Sequence, residues 1–166
     1  MQTTFTLRPF KLADLEQVTN INRVCLPENY TNFFFMDLYE RFPETFIVAE
    51  ESGEAIGYIM CRIEMGLSSF QRLGIAKKGH VISIAVLPEY RRQGVGYALV
   101  KEAMRAMLHS KTKECFLEVR VSNTPAVNLY KKMGFKIIRT IGGYYADGED
   151  AYVVSIKLPF EPISQK

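Results

Sequence analysis

The sequence predicts a single domain of mixed α/β class, and three observations support this prediction. The chain has 166 residues, about the length that folds around one hydrophobic core. Its first half contains Ser52-Gly53 between two apolar segments, which is a hairpin signal and indicates antiparallel strands. Its second half alternates apolar strand patterns with segments of helical spacing, so the order of elements is mixed.

The composition narrows the class of protein. A hydrophobic content of 48% with 23% charged residues is typical of a globular domain, and no apolar run is long enough for a membrane span. Met1-Gln2-Thr3-Thr4 lacks the basic and apolar regions of a signal peptide, so we expect a cytoplasmic protein. The net charge of +3 is small and the basic residues are spread along the chain. Neither a nucleic-acid partner nor a membrane is therefore predicted.

The three cysteines predict neither a disulfide framework nor a zinc cluster. Cys25, Cys61 and Cys115 are odd in number, widely spaced and without a CxxC pair. We expect them to be small core residues.

The first half is expected to begin with a strand and a helix. Thr4 to Arg8 alternates as a strand does, and from Leu12 to Cys25 the apolar residues recur at helical spacing. Pro27 ends this helix, because proline has no N–H to donate and clashes with the preceding turn.

A short helix, two strands and a connection are expected next. The helix ends near Arg41, and the strands Phe46 to Glu50 and Ala55 to Met65 form the hairpin. Gly66 to Lys78 shows no clear period, which predicts a mobile connection before a strand that begins near Gly79.

The second half is expected to contain four strands and two helices. They are a strand from Gly79 to Val86, a helix from Gly94 to His109, a strand from Cys115 to Val121, a helix from Pro125 to Met133, and strands from Phe135 to Ile141 and from Ala151 to Leu158. The domain is expected to occupy residues 1–158. Residues 159–166 are polar and rich in proline, which predicts a frayed tail.

The loop after Val86 carries an anion-binding pattern, Arg91-Arg92-Gln93-Gly94-Val95-Gly96. N–H groups in the first turn of a helix lack intrahelical partners and favour negative charge, and glycine lets the backbone approach a phosphate. The P-loop pattern is absent, and Leu99 occupies the place where a dinucleotide-binding loop requires a small residue. The remaining pattern is R-x-x-G-x-G, for which an ordinary helix start with a basic cap is the alternative interpretation.

R-x-x-G-x-G after a strand resembles the pyrophosphate-binding loop of the GCN5-related N-acetyltransferase (GNAT) superfamily, whose members hold acetyl-CoA. A second motif, Asn123-x-x-Ala126-x-x-Leu129-Tyr130-x-x-x-Gly134-Phe135, looks like the second acetyl-CoA-contacting segment of these enzymes. The two motifs have the expected order and spacing, and the resemblance covers nearly the whole chain. It implies a GNAT fold, a mixed central sheet with helices on both faces.

Two further segments look like those of the catalytic subunit of N-terminal acetyltransferase A and its single-chain archaeal relatives. They are Leu26-Pro27-Glu28-Asn29-Tyr30 and Tyr144-Tyr145-Ala146-Asp147-Gly148-Glu149-Asp150-Ala151-Tyr152. The resemblance implies direct acetyl transfer from acetyl-CoA to protein N-termini of the Ser, Ala or Thr type. Met-initiated ends are an open alternative. Gly96, in place of the alanine often seen there, stays within the pattern.

The same resemblance implies roles for individual residues. Ile84, Ala85 and Val86 would line the pantetheine arm where two strands splay, and Arg91 to Tyr97 would cradle the pyrophosphate. Asn123 would bond the arm or a supporting backbone group, and Tyr130 would act as general acid for the CoA thiolate. Glu28, Tyr30, Tyr144 and Tyr145 would bind the acceptor peptide.

The chemistry of acyl transfer to an amine indicates which groups could react. An amine must be neutral to attack a thioester, and an α-amino group has a pKa of about 7.7 to 8.0 against about 10.4 for lysine. The difference of roughly 2.5 units corresponds to about 3.4 kcal/mol, so a modest base favours α-amines. The groups that could collect the proton, directly or through water, are His80, Glu118 and Glu28.

His80 and Glu118 are expected on neighbouring strands. Alternation puts His80 on the face that carries Ile84, and Glu118 on the face that carries Arg120. A strand histidine can equally be a satisfied polar residue, whereas a glutamate among apolar residues needs a partner or water. Two ligands are too few for zinc, so no metal cofactor is predicted.

Other interpretations stay open at the level of sequence. A GNAT enzyme for lysine or a small-molecule amine is the nearer alternative, and a non-catalytic acetyl-CoA-binding module is the more distant one. Action at the ribosome, an auxiliary subunit and a homodimer are all compatible with the sequence.

Overall fold

The computed structural model describes residues 4–161. Residues 1–3, part of the segment examined for a signal peptide, and residues 162–166 of the expected tail lie outside this range. The strands are β1 (Thr6–Pro9), β2 (Phe46–Glu51), β3 (Glu54–Leu67), β4 (Ile75–Val86), β5 (Glu114–Arg120), β6 (Lys136–Ile141) and β7 (Ala151–Lys157). The α-helices are α1 (Leu15–Cys25), α2 (Asn32–Arg41), α3 (Val95–Leu108) and α4 (Thr124–Met133).

The strands form one mixed sheet in the order β1-β2-β3-β4-β5-β7-β6. β4 and β5 are parallel, with His80 opposite Phe116. The pairs β1–β2, β2–β3, β5–β7 and β6–β7 are antiparallel. The predicted mixed α/β order is therefore confirmed.

The described residues form two compact units. The first runs to Arg62 and resumes from Val81 to Met107, and the second comprises Ile63–His80 and the residues from Leu108 onward. In the first unit, α1 buries Val18 and Ile21 with the aromatic residues of α2 and β2. In the second, β5 buries Cys115, Leu117 and Val119 on one face. On the other face, Phe116, Glu118 and Arg120 are half-buried and Glu114 is buried.

The predicted hairpin and helix end are confirmed. Ser52 and Gly53 have φ angles of 50° and 81°, the left-handed conformation required by a two-residue turn between twisted antiparallel strands. α1 ends at Cys25, two residues before Pro27.

The predicted connection over Gly66 to Lys78 is wrong in its bounds. β3 continues to Leu67 and β4 begins at Ile75, so residues 68–74 alone join them. A polar residue such as Lys78 is not expected in a buried strand, so the sequence did not indicate that β4 begins before it. Lys78 is nevertheless buried, because its Nζ donates to Leu67 O (2.9 Å) and lies 4.4 Å from the Phe116 ring centre. Glu114 also fixes the connection by accepting from Ser69 N–H (2.8 Å).

Cys25 and Cys115 form no disulfide. Cys61 and Cys115 are buried as predicted, and burial raises the pKa of Cys115 to about 12. Cys25 is half-buried, and its Sγ lies 3.5 Å from Val86 O. Within residues 4–161, none of the helices has both the length and the apolar character needed to cross a bilayer.

Candidate active site

The end of β4 and the loop after it carry the residues assigned to the cofactor in the first unit. Ala85 is buried, whereas Ile84 and Val86 are half-buried. β3 approaches this strand closely at Gly57, where a Cβ atom would lie 3.0 Å from Ala85 O. The backbone here leaves no room for a side chain at residue 57.

Two residues of the glycine loop adopt the left-handed backbone conformation. Arg92 and Gly94 have φ angles of 60° and 83°, and Ala98 N–H donates to Gly94 O (3.0 Å) as α3 begins. Arg91 Nε donates to Val86 O (2.9 Å), which ties the loop to the strand that precedes it. Residues 91–94 are exposed, so the basic side chains and the helix start face solvent, where an anion can reach them.

The turn between α1 and α2 carries Glu28 and Tyr30, both half-buried. The Tyr30 hydroxyl donates to Ile82 O on β4 (3.4 Å), and its ring stacks on Phe34 with 4.8 Å between ring centres. Asn22 of α1 hydrogen-bonds backbone groups of both Glu28 and Tyr30. The turn is thus attached to β4 and to α1.

His80 and Glu118 meet in the second unit. The His80 Nε2 and Glu118 Oε2 atoms are 2.7 Å apart, and the His80 ring stacks on Phe116 with 4.2 Å between ring centres. His80 Nδ1 is buried without a hydrogen-bond partner and lies 3.5 Å from Glu64 Oε1. The imidazole therefore lies between the carboxylates of Glu64 and Glu118.

Asn123 and Tyr130 belong to α4. Asn123 caps the helix, with its Oδ1 accepting from Ala126 N–H (3.3 Å), so its side chain supports a backbone group and its amide NH₂ can also donate. Tyr130 is buried, with its ring edge-on to Phe135 at 5.5 Å between ring centres. Gly134 ends α4 with a φ of 103°, in the left-handed C-cap conformation.

Tyr144 and Tyr145 lie on the loop between β6 and β7, with their rings edge-on at 4.9 Å. Arg120 organises this loop. Its guanidinium carbon lies 4.0 Å from the Tyr145 ring centre, and its Nη1 donates to Asp147 Oδ2 (2.8 Å) and Glu149 Oε1 (3.0 Å). Hydrogen bonds from Ser122 and then Arg120 hold the pKa of Glu149 below its ordinary value.

The predicted site residues fall in both units. In the first unit, the turn with Glu28 and Tyr30 is bonded to the strand that carries Ile84, Ala85 and Val86. In the second unit, the structure brings His80 and Glu118 into hydrogen-bond distance. Among residues 4–161, no group of three or more His, Cys, Asp or Glu side chains is arranged to hold a metal ion.

Sequence reasoning missed three residues that organise these groups. Arg120 and Glu64 are ordinary charged strand residues in the sequence, and neither has a local signal of its contacts. Asn22 had a signal, because it follows Val18 by four residues on the apolar face of α1, where a polar side chain needs a buried partner.

Comparisons with known proteins show which family this chain resembles. The model of the Acetyltransferase (GNAT) family matches residues 15–135. The N-alpha-acetyltransferase of Sulfurisphaera tokodaii is 50% identical over 156 residues, 93% of each chain. The N-terminal acetyltransferase complex ARD1 subunit homolog of Dictyostelium discoideum is 35% identical over 97% of this chain and 77% of its own.

The solved structure of Arabidopsis thaliana Naa50 in complex with the bisubstrate analogue CoA-Ac-MVNAL also matches. Its TM-score is 0.77 at 29% identity, over 93% of this chain and 99% of that chain. The predicted GNAT fold and the resemblance to N-terminal acetyltransferases are thereby confirmed. From its matched residues, its mixed sheet and these relatives, the chain belongs to the acetyltransferase (GNAT) family.

Proposed function

We propose that this protein transfers the acetyl group of acetyl-CoA to the α-amine of protein N-termini by direct attack. The observation that carries the proposal is the 50% identity, over 93% of both chains, with an N-alpha-acetyltransferase. The turn with Glu28 and the loop with Tyr144 are the segments that suit a peptide acceptor, and both are held by hydrogen bonds within their own unit.

The cofactor is proposed to bind along the first unit's glycine loop and the end of β4. Backbone N–H groups at the start of α3, with Arg91 and Arg92, suit the negative charge of a pyrophosphate. Backbone groups of Ile84 to Val86 would pair with the pantetheine arm, and an N–H near the thioester oxygen would stabilise the developing oxyanion. Asn123 would contribute its amide NH₂ to the arm.

In the proposed reaction, the amine nitrogen bonds to the thioester carbon and the carbon–sulfur bond breaks. The proton from the attacking amine goes to the His80–Glu118 pair, directly or through water, or to Glu28. The departing CoA thiolate takes a proton from the Tyr130 hydroxyl. The α-amine needs little help, because its pKa of about 7.7 to 8.0 leaves part of it neutral at pH 7.

The acceptor is proposed to bind as an extended peptide end. The Glu28 carboxylate would orient the ammonium group before it loses its proton, while Tyr30, Tyr144 and Tyr145 supply flat walls and hydroxyl groups. The first residues proposed are Ser, Ala and Thr, together with Met-initiated ends. Their relative use would report the shape of the pocket.

A cytoplasmic location and protein partners belong to the same proposal. New N-termini become available at the ribosome in the cytoplasm, so the ribosome is one proposed partner. An auxiliary subunit and a second copy of the chain are the others. The Dictyostelium discoideum relative is named as a homolog of the ARD1 subunit of an N-terminal acetyltransferase complex. Sedimentation of the purified chain, alone and with ribosomes, would separate these cases.

The test is thiol release from acetyl-CoA with Ser-, Ala- and Met-Leu-starting peptides, each free or N-blocked and each containing an internal lysine. Release with free N-termini alone is expected. Release with blocked peptides would move the acceptor to lysine and contradict the proposal. If no peptide causes thiol release but a small amine does, the substrate is that amine. Saturable acetyl-CoA binding without thiol release from any amine indicates a binding module.

A further inference from the structure

A buried side-chain amide contacts the turn that carries Glu28 and Tyr30, which we call the acceptor turn. Asn22 is 1% exposed and lies on the apolar face of α1, next to Ile21. Its Nδ2 donates to Glu28 O (3.2 Å), and its Oδ1 accepts from Tyr30 N–H (3.3 Å). One side chain therefore bonds the backbone on both sides of Asn29 and closes the turn.

The orientation of this amide follows from its partners. A flipped Asn22 would place its NH₂ against the Tyr30 N–H and its oxygen against the Glu28 carbonyl, two repulsive contacts. The orientation present satisfies both backbone groups. An apolar residue here would satisfy neither, although the apolar surroundings on α1 would favour it.

The second hydrogen of the same amide extends the contact to β4. Asn22 Nδ2 also donates to the Tyr58 hydroxyl (3.1 Å), which lies 2.7 Å from Ser83 Oγ. Tyr58 is completely buried and Ser83 is 5% exposed. Burial raises the pKa of Tyr58 to about 12, although its hydrogen bonds with Ser83 and Asn22 lower it in part. The Tyr58 hydroxyl therefore keeps its proton at neutral pH.

Ser83 immediately precedes the residues assigned to the pantetheine arm. The turn is also attached to β4 at Ile82, through the Tyr30 hydroxyl (3.4 Å). Two independent attachments therefore join the turn to consecutive residues of one strand. These hydrogen bonds link the Glu28 backbone to β4, and all of them lie within the first unit. The bonds of the Tyr58 hydroxyl to Asn22 and to Ser83 are buried.

We propose that Asn22, acting through Tyr58 and Ser83, is a positioning residue that aligns the acceptor turn with the end of β4. This inference rests on the proposed function. The amine held at Glu28 then meets the thioester beside Ile84 to Val86 at a reactive distance and angle. A small error in such alignment lowers the rate strongly, because the reacting atoms must approach within about 3–3.5 Å.

The main variant is Asn22→Asp, which keeps an oxygen for the Tyr30 N–H but has no N–H for Glu28 O or Tyr58. Ser83→Ala removes the hydroxyl that contacts the Tyr58 hydroxyl and leaves the bonds of Asn22 to Glu28 and Tyr30 intact. Asn20→Asp is the matched control, because Asn20 is an exposed asparagine on the same helix. Each variant is examined for its melting temperature, its acetyl-CoA dissociation constant and its peptide kinetics.

We expect kcat/KM for a free-N-terminus peptide to fall by about 10-fold to 10²-fold in Asn22→Asp, and less in Ser83→Ala. Acetyl-CoA affinity should stay unchanged in both, and Asn20→Asp should match the wild type. If Asn22→Asp fails to fold, the test rests on Ser83→Ala. Peptide kinetics equal to those of the wild type in Ser83→Ala would then overturn the inference.

Two other outcomes count against it. Folded variants whose peptide kcat/KM is unchanged would show that the alignment does not depend on these bonds. Parallel losses of melting temperature, acetyl-CoA affinity and peptide use would indicate a purely structural role. Failure of the proposed function is distinct, because the wild type itself would then release no thiol with any free N-terminus.

Discussion

The Nε2 atom of His80 lies 2.7 Å from Oε2 of Glu118, across the parallel pair β4 and β5. Both side chains are largely buried, with 11% and 16% of their surfaces exposed. A carboxylate hydrogen-bonded to an imidazole fixes the orientation of the ring. This contact supports the proposal that the pair collects the proton of an attacking amine.

Replacing His80 or Glu118 with glutamine is expected to lower kcat by about 10²-fold at pH 7. The deficit should shrink toward pH 9, because an α-amine with a pKa of about 7.7 to 8.0 no longer needs a base there. Thiol release at saturating substrates from pH 6.5 to 9.5 measures this. His109→Gln, at an exposed histidine, is the control, and a deficit that is constant with pH would contradict the role.

Tyr130→Phe is expected to lower turnover by about 10²-fold with little change in acetyl-CoA affinity. The phenylalanine keeps the packing against Phe135 and loses only the hydroxyl that would protonate the thiolate. Single-turnover rates and acetyl-CoA dissociation constants separate the two effects. Tyr152→Phe, on β7, is the control, and an unchanged rate under chemistry-limited conditions would remove the assigned role of Tyr130.

Glu28→Gln is expected to raise the KM for peptide before it affects acetyl-CoA, because the neutral amide no longer attracts an ammonium group. Steady-state kinetics with each substrate varied in turn measures the split. Glu44→Gln, at an exposed glutamate, should behave as wild type. If acetyl-CoA binding alone suffered, the acceptor assignment of Glu28 would be wrong.

Arg120→Gln is expected to raise the KM for peptide by loosening the loop that carries Tyr144 and Tyr145. The change removes the contact with the Tyr145 ring and the two hydrogen bonds to Asp147 and Glu149. Limited proteolysis should show faster cleavage within residues 142–150. Arg105→Gln, in an exposed pair with Glu102, controls for loss of charge, and unaltered cleavage and KM would refute the loop role.

Asp14→Asn is expected to lower the free energy of unfolding at pH 7 by about 1 kcal/mol. Burial would raise the pKa of Asp14, but hydrogen bonds from Arg8 and the Lys11 N–H lower it by more. This stabilisation is fully present above the unfolded pKa of about 3.9 and is lost as the pH falls through the lower folded value.

Urea unfolding of wild type and Asp14→Asn from pH 7 to pH 3 tests this directly. The difference between the two proteins should be constant down to about pH 5 and should close at the acidic end. Asp37→Asn removes an exposed pair with Arg41 and should have little effect at any pH. A difference that grows on acidification would contradict the assignment.

Local periodicity was sufficient for most of the fold. The helix from Leu15 to Cys25, the turn at Ser52-Gly53 and the alternation of β5 all follow from residues a few positions apart, which is the range over which helix and strand repeats act. The prediction of a connection over Gly66 to Lys78 is wrong because the partners of the Lys78 side chain lie on other strands. They are Leu67 O on β3 and the Phe116 ring on β5.

The class of fold, the order of its elements and the candidate residues His80, Glu118 and Glu28 follow from the amino-acid sequence, because each depends on residue type and short spacing. Which of these residues meet depends on the folded structure. His80 and Glu118 are 38 positions apart, and Asn22 and Tyr58 are 36 apart. Such contacts depend on strand register and helix packing, which arise from the whole core rather than from any local pattern.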